Sequence, residues 1–65
     1  MNSTGAELAS ATSTIEDLMA RISHAADTYQ SAGDETTANE LYDVERSLRS
    51  AGRRLATLVR RLADE

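Results

Sequence analysis

The sequence has no cysteine, no proline, no tryptophan and no phenylalanine. Without cysteine, disulfides and thiolate metal sites are excluded. Without proline, no residue forces a break in a long helix. Tyr29 and Tyr42 are the only aromatic residues, so few large side chains are available to fill a core. Lysine is also missing, and all seven basic residues are arginine. No apolar run approaches the roughly 20 residues of a membrane span. Met1 to Gly5 carries no basic region and no hydrophobic stretch, so no secretory signal is read and a cytoplasmic protein is expected.

Length sharpens these absences. A chain of 65 residues makes one small domain. It is 40% hydrophobic, but much of that fraction is alanine. So small a chain buries too little of its surface to be comfortably stable alone. Small scaffolds add a disulfide, a metal or a second chain. With disulfides excluded, a second chain is the expected reinforcement. The net charge of −4 argues weakly against nonspecific nucleic-acid binding by the surface as a whole.

What the sequence does contain is heptad periodicity. Leu41, Val44, Leu48, Ala51, Leu55, Leu58 and Leu62 recur at alternating spacings of three and four. That is the a/d pattern of a helix burying a stripe against another helix. A second series, Leu8, Ala11, Ile15, Leu18, Ile22, Ala25, Tyr29 and Ala32, holds the same phase. Thr4 with Glu7, and Ser13 with Glu16, have capping-box spacing and offer two starts for the first helix. The early start is favoured, because the apolar repeat already runs through Ser10 to Thr14. Gly33 suits the left-handed residue after a helix. Thr37 with Glu40 forms another capping pair, and Asp34 is an alternative cap. Gly52 costs roughly 1 kcal/mol inside a helix relative to Ala, yet the heptad keeps phase across it.

The expected architecture is all-α. A flexible tail over 1–5 precedes a first helix over about 6–32. A turn over 33–36 leads to a second helix over about 37–63. A connection this short makes neighbouring helices antiparallel. The result is a two-helix antiparallel coiled-coil hairpin. Two registers are open. One sets Ile15 by Leu58 and Ala25 by Leu48. The other, slipped by one heptad, sets Ile22 by Val44, Leu18 by Leu48 and Leu8 by Leu58. Both bring Glu16 and Asp17 near Arg53 and Arg54.

A lone hairpin leaves one side of its seam uncovered. Met19 and Ala26 widen the stripe on the first helix. Gly52, Ala56, Val59 and Ala63 make a small-residue strip on the second. A dimer of hairpins, giving a four-helix bundle, would cover both. Arg46, Arg49, Arg53, Arg54, Arg60 and Arg61 lie within sixteen residues. They suit an acidic partner, a nucleic acid or a phosphate-bearing ligand. The plainer reading, a solvated coiled-coil flank balanced by acids, takes precedence. No aromatic interleaves these arginines for base stacking. Tyr42 lies off the seam, as an anchor for a partner or packed over its own hairpin.

Chemistry has no candidate residues. His24 falls on the outer surface of the heptad, with only Asp27 near it, which is too little for a metal site. The a/d positions hold no Glu or His, against a di-iron bundle. No Ser/His/Asp constellation, P-loop or dinucleotide-binding glycine pattern is present. A short helical hairpin with an alanine-rich seam is superficially similar to the small secreted WXG-type hairpin proteins. Here the turn reads Ser31-Ala32-Gly33 rather than Trp-x-Gly. The Tyr-x-x-x-Asp/Glu export pattern fails at both tyrosines, since Gly33 follows Tyr29 and Arg46 follows Tyr42 at that spacing. Nothing of that family's function is carried over.

The expected function is therefore a non-enzymatic protein–protein interaction module, a homodimer with no cofactor and no membrane association. Its partner-binding residues are Met19, Tyr42, Arg46, Arg49, Gly52, Arg53, Ala56, Val59, Arg60 and Ala63. The alternative is a nucleic-acid-associated or anion-binding regulator that uses the arginine face.

Overall fold

The computed structural model describes residues 3–64. Helix α1 spans Ser3–Ser31 and helix α2 spans Glu35–Asp64. The described residues include no strand. The two helices pack side by side as a hairpin with Cα extents of 49 × 15 × 10 Å, a long, thin body with room for one layer of side chains between its rods.

Helix α1 starts at Ser3 rather than near Ala6. Once a helix has nucleated, each further turn adds hydrogen bonds at little cost, and no proline stops it here. Of the expected tail over 1–5, Ser3, Thr4 and Gly5 are helical; Met1 and Asn2 lie outside the described residues. The Ser/Thr-rich stretch stays helical by bonding its own backbone. Thr12 Oγ1 donates to the Leu8 carbonyl and Thr14 Oγ1 to the Ser10 carbonyl, each at 3.1 Å.

The turn between the helices is closed by a complete Schellman motif. Gly33 has φ 89°, a conformation that favours glycine. Its N–H donates to the Gln30 carbonyl at 3.1 Å, and the Asp34 N–H reaches back to Tyr29 O at 2.9 Å. Asp34 then caps α2, its carboxylate accepting the Thr37 N–H at 3.1 Å. Of the two possible caps, Asp34 is the one used, so α2 begins at Glu35 and not at Thr37.

The register is the slipped one, offset by about one residue. A Cβ built on Gly52 would lie 3.2 Å from Ile15 Cγ2. Ile15 therefore faces Gly52, not Leu58. Tyr42 meets Asp27 and Gln30 across the hairpin at the turn end, in keeping with the same alignment.

The stripe that makes the seam is rotated from the expected one. On α1 the less exposed positions include Leu8, Thr12, Ile15, Met19, Ile22 and Ala26. On α2 they include Ala38, Leu41, Glu45, Leu48, Gly52, Leu55 and Val59. Leu8, Ile15, Ile22, Leu41, Leu48 and Leu55 are shared with the expected series, and its Ala11 and Ala25 are also half-buried. Leu18, Tyr29, Val44, Leu58 and Leu62, all read as seam residues, are instead 38–46% exposed. The reason is steric. Ala26 and Ala38 are the two fully enclosed side chains near the turn, at 0% and 1% exposure, and Gly52 receives Ile15 further along. Rotating toward these small residues lets the axes come closer than a leucine-on-leucine seam permits.

Candidate functional site

Because the stripe on each helix is wider than the seam, the hairpin has two unlike broad faces. Residues seven apart share a helix face. One broad face therefore carries Ala11, Leu18 and Ala25 from α1, with Val44, Ala51 and Leu58 from α2. The opposite face carries Glu16 and Met19 with Arg49, Arg53 and Ala56, which line a shallow depression of about 190 Å³ together with Thr12, Ile15 and Gly52.

The residues expected to bind a partner divide accordingly. Met19, Arg49, Gly52, Arg53 and Ala56 do come together at that depression. Gly52 lies against Ile15 and Val59 is half-buried, so both serve the hairpin's own seam. Arg46, Arg60 and Ala63 are exposed. Sequence reasoning missed the apolar face by placing Leu18, Val44 and Leu58 in the core. The available signal was the number of apolar residues beside the a/d positions, more than one narrow seam can hold.

Tyr42 packs on its own hairpin. Its hydroxyl donates to the Asp27 carboxylate, and Gln30 Oε1 stands 2.9 Å from the same oxygen. A phenol has one proton, so the Gln30 amide turned by half a rotation would donate to that oxygen instead. The hydrogen bond to Asp27, with desolvation and the carboxylate's charge adding to it, pushes the phenol above its ordinary 10.0. The same cluster ties α1 to α2 beside the turn.

The charges divide into paired and unpaired. Arg21 pairs with Asp17 at 3.1 Å, Arg46 with Asp43 at 2.7 Å, and Arg49 with Glu45. Each pair lies within one helix, at three- or four-residue spacing. Of the expected approach of Glu16 and Asp17 to Arg53 and Arg54, Glu16 and Arg53 do line the same depression, while Asp17 pairs with Arg21 within α1. Glu45 sits at a seam position with its side chain only 13% exposed, and Arg49 covers it. Arg53, Arg54, Arg60 and Arg61 make no ion pair among the described residues. His24 is exposed. Among the described residues no group of three His, Asp or Glu side chains is placed to hold a metal. Among the described residues no helix is long and apolar enough to cross a membrane.

Fold and surface together define a helical hairpin with one apolar and one arginine-bearing face. No family model matches the chain, and neither a curated protein nor a solved structure is detectably similar to it.

Proposed function

We propose that this chain is a non-enzymatic interaction module. It works as an oligomer of hairpins, a dimer completing a four-helix bundle, and docks another protein in a regulatory or assembly role. One observation carries the reading. The hairpin fully encloses only Ala26 and Ala38 among its described apolar residues, while five large ones stand about two-fifths exposed. Burying a Leu or Val side chain is worth about 1.5–3 kcal/mol. A chain that leaves so much of this unrealised gains by associating. A cytoplasmic setting remains part of this reading on sequence grounds.

Sedimentation at micromolar concentration is the test. Self-association is expected. A monodisperse, fully helical monomer would overturn the reading.

A second reading rests on the four arginines without an ion pair: binding of an anionic ligand, nucleic acid included, through that part of α2. Salt separates the two. Anion binding weakens steeply as salt rises, whereas apolar docking does not. Val59→Glu is unsuitable as a probe of docking, since Val59 is half-buried in the hairpin's own seam. Leu58→Glu, at a position 41% exposed, would abolish apolar docking while the hairpin stays helical.

A further inference from the structure

The structure offers three candidates: the depression around Gly52, the arginine cluster at the end of α2, and the apolar face. The depression is shallow and rimmed by charge. The arginine cluster is exposed, and its charge alone specifies no ligand. The apolar face has a pattern of large and small residues that is complementary to itself.

We infer that the face bearing Leu18, Val44, Ala51 and Leu58 is covered by a second copy of this chain, related by a two-fold axis passing at Ala51 and perpendicular to the helices. This rests on the oligomer reading above and adds the surface and the symmetry.

Three observations converge. The first is area. The hairpin's Cα extents of 49 Å by 15 Å give each broad side a projected area on the order of 700 Å², large enough to seat a standard interface of roughly 800 Å² of accessible surface per partner. The second is shape. On α2 the small Ala51 is flanked by Val44 and Leu58, each seven residues away. On α1 the order is reversed, with Leu18 flanked by Ala11 and Ala25. With Ile15 facing Gly52, Leu18 stands within a turn of Ala51. Across the two-fold axis, Leu18 of each copy fills the space left by the two Ala51 residues. On α2, Val44 then meets Leu58 of the second copy, twice by symmetry. The α2 contact thus alternates a small pair at Ala51 with large Val44–Leu58 pairs on either side, as interdigitated packing needs.

The third observation is charge. The edge of α2 beside this face runs from Glu40 near its start to Arg54 and Arg61 near its end. None of these three makes an ion pair among the described residues. When α2 lies antiparallel on its own copy about Ala51, Glu40 comes level with residue 62 of the second copy and so beside the neighbouring Arg61, twice by symmetry. The other face-to-face arrangement, with α2 on α1, sets Arg54 against Thr14 and loses this match. An isologous contact requires such self-complementarity.

The chain contains no cysteine, so single cysteines report the geometry directly. Under mild oxidation, Ala51→Cys is expected to give a disulfide-linked dimer in high yield, since the two copies of this residue meet on the axis. Ala56→Cys, on the opposite face, is expected to stay monomeric on a denaturing gel. Independently, Glu40→Arg or Arg61→Glu should weaken the dimer roughly two- to tenfold, for two exposed pairs. The double exchange should restore it. If the protein self-associates but cross-links through Ala56→Cys and not Ala51→Cys, this inference falls and the oligomer reading stands. If double exchange fails to restore the affinity lost in the single variants, the axis is wrong. A monomer in sedimentation removes both.

Discussion

At the residue scale, the turn depends on one missing side chain and one carboxylate. Gly33 supplies the left-handed backbone, and Asp34 both closes the Schellman motif through its N–H and caps α2 through its side chain. The Thr37 N–H, and then its hydroxyl, hold the Asp34 carboxylate below its ordinary 3.8. The folded value is thus lower than the unfolded one. The stabilisation is therefore complete above pH 3.8 and is lost as pH falls through the folded value. Asp34→Asn keeps a capping oxygen but cannot titrate. In melts followed by circular dichroism, the fall in Tm between about pH 4 and pH 2 should be smaller in Asp34→Asn than in the natural protein. Equal falls would show that Asp34 does not cap α2 in solution.

At the scale of the element, Gly52 is where α2 trades helix propensity for closeness. Alanine there would gain about 1 kcal/mol of intrinsic propensity. Its Cβ would also press on Ile15 Cγ2 at 3.2 Å, and Ile15 is only half-buried, with room to give a few tenths of an ångström. The two effects are of similar size. Gly52→Ala should therefore leave stability within about 1 kcal/mol of the natural protein. Gly52→Leu cannot be absorbed in this way and should cost about 1–3 kcal/mol by overpacking. Thermal melts of the two variants decide the matter. A tolerated leucine would mean that the helices do not meet at Gly52.

At the scale of the whole molecule, the hairpin's stability is tied to how much of it is covered. Two enclosed alanines and a row of half-buried aliphatic side chains make a thin core for two helices of 29 and 30 residues. Association that binds only the folded form raises apparent stability by mass action. Tm should therefore climb steadily with protein concentration across the micromolar range, and Leu58→Glu should flatten that dependence. A Tm independent of concentration in the natural protein would assign the whole stability to the single hairpin.

The heptads of Leu41, Leu48 and Leu55, the left-handed position of Gly33 and the lack of proline were enough to read two long antiparallel helices from the amino-acid order. Hydrophobic periodicity and turn chemistry are local, so the chain states them directly. The seam was not legible in the same way. A stripe that holds both Val44 and Leu48, or both Ile15 and Leu18, is wide enough for either edge to face the neighbouring helix. Periodicity has no preference between those edges. Tertiary packing chose the edge with Ala26, Ala38 and Gly52, because small side chains let the helices approach, and that choice turned Leu18, Val44 and Leu58 outward. The candidate docking face is thus a consequence of how closely two helices can pack, a quantity that exists only once both are in place.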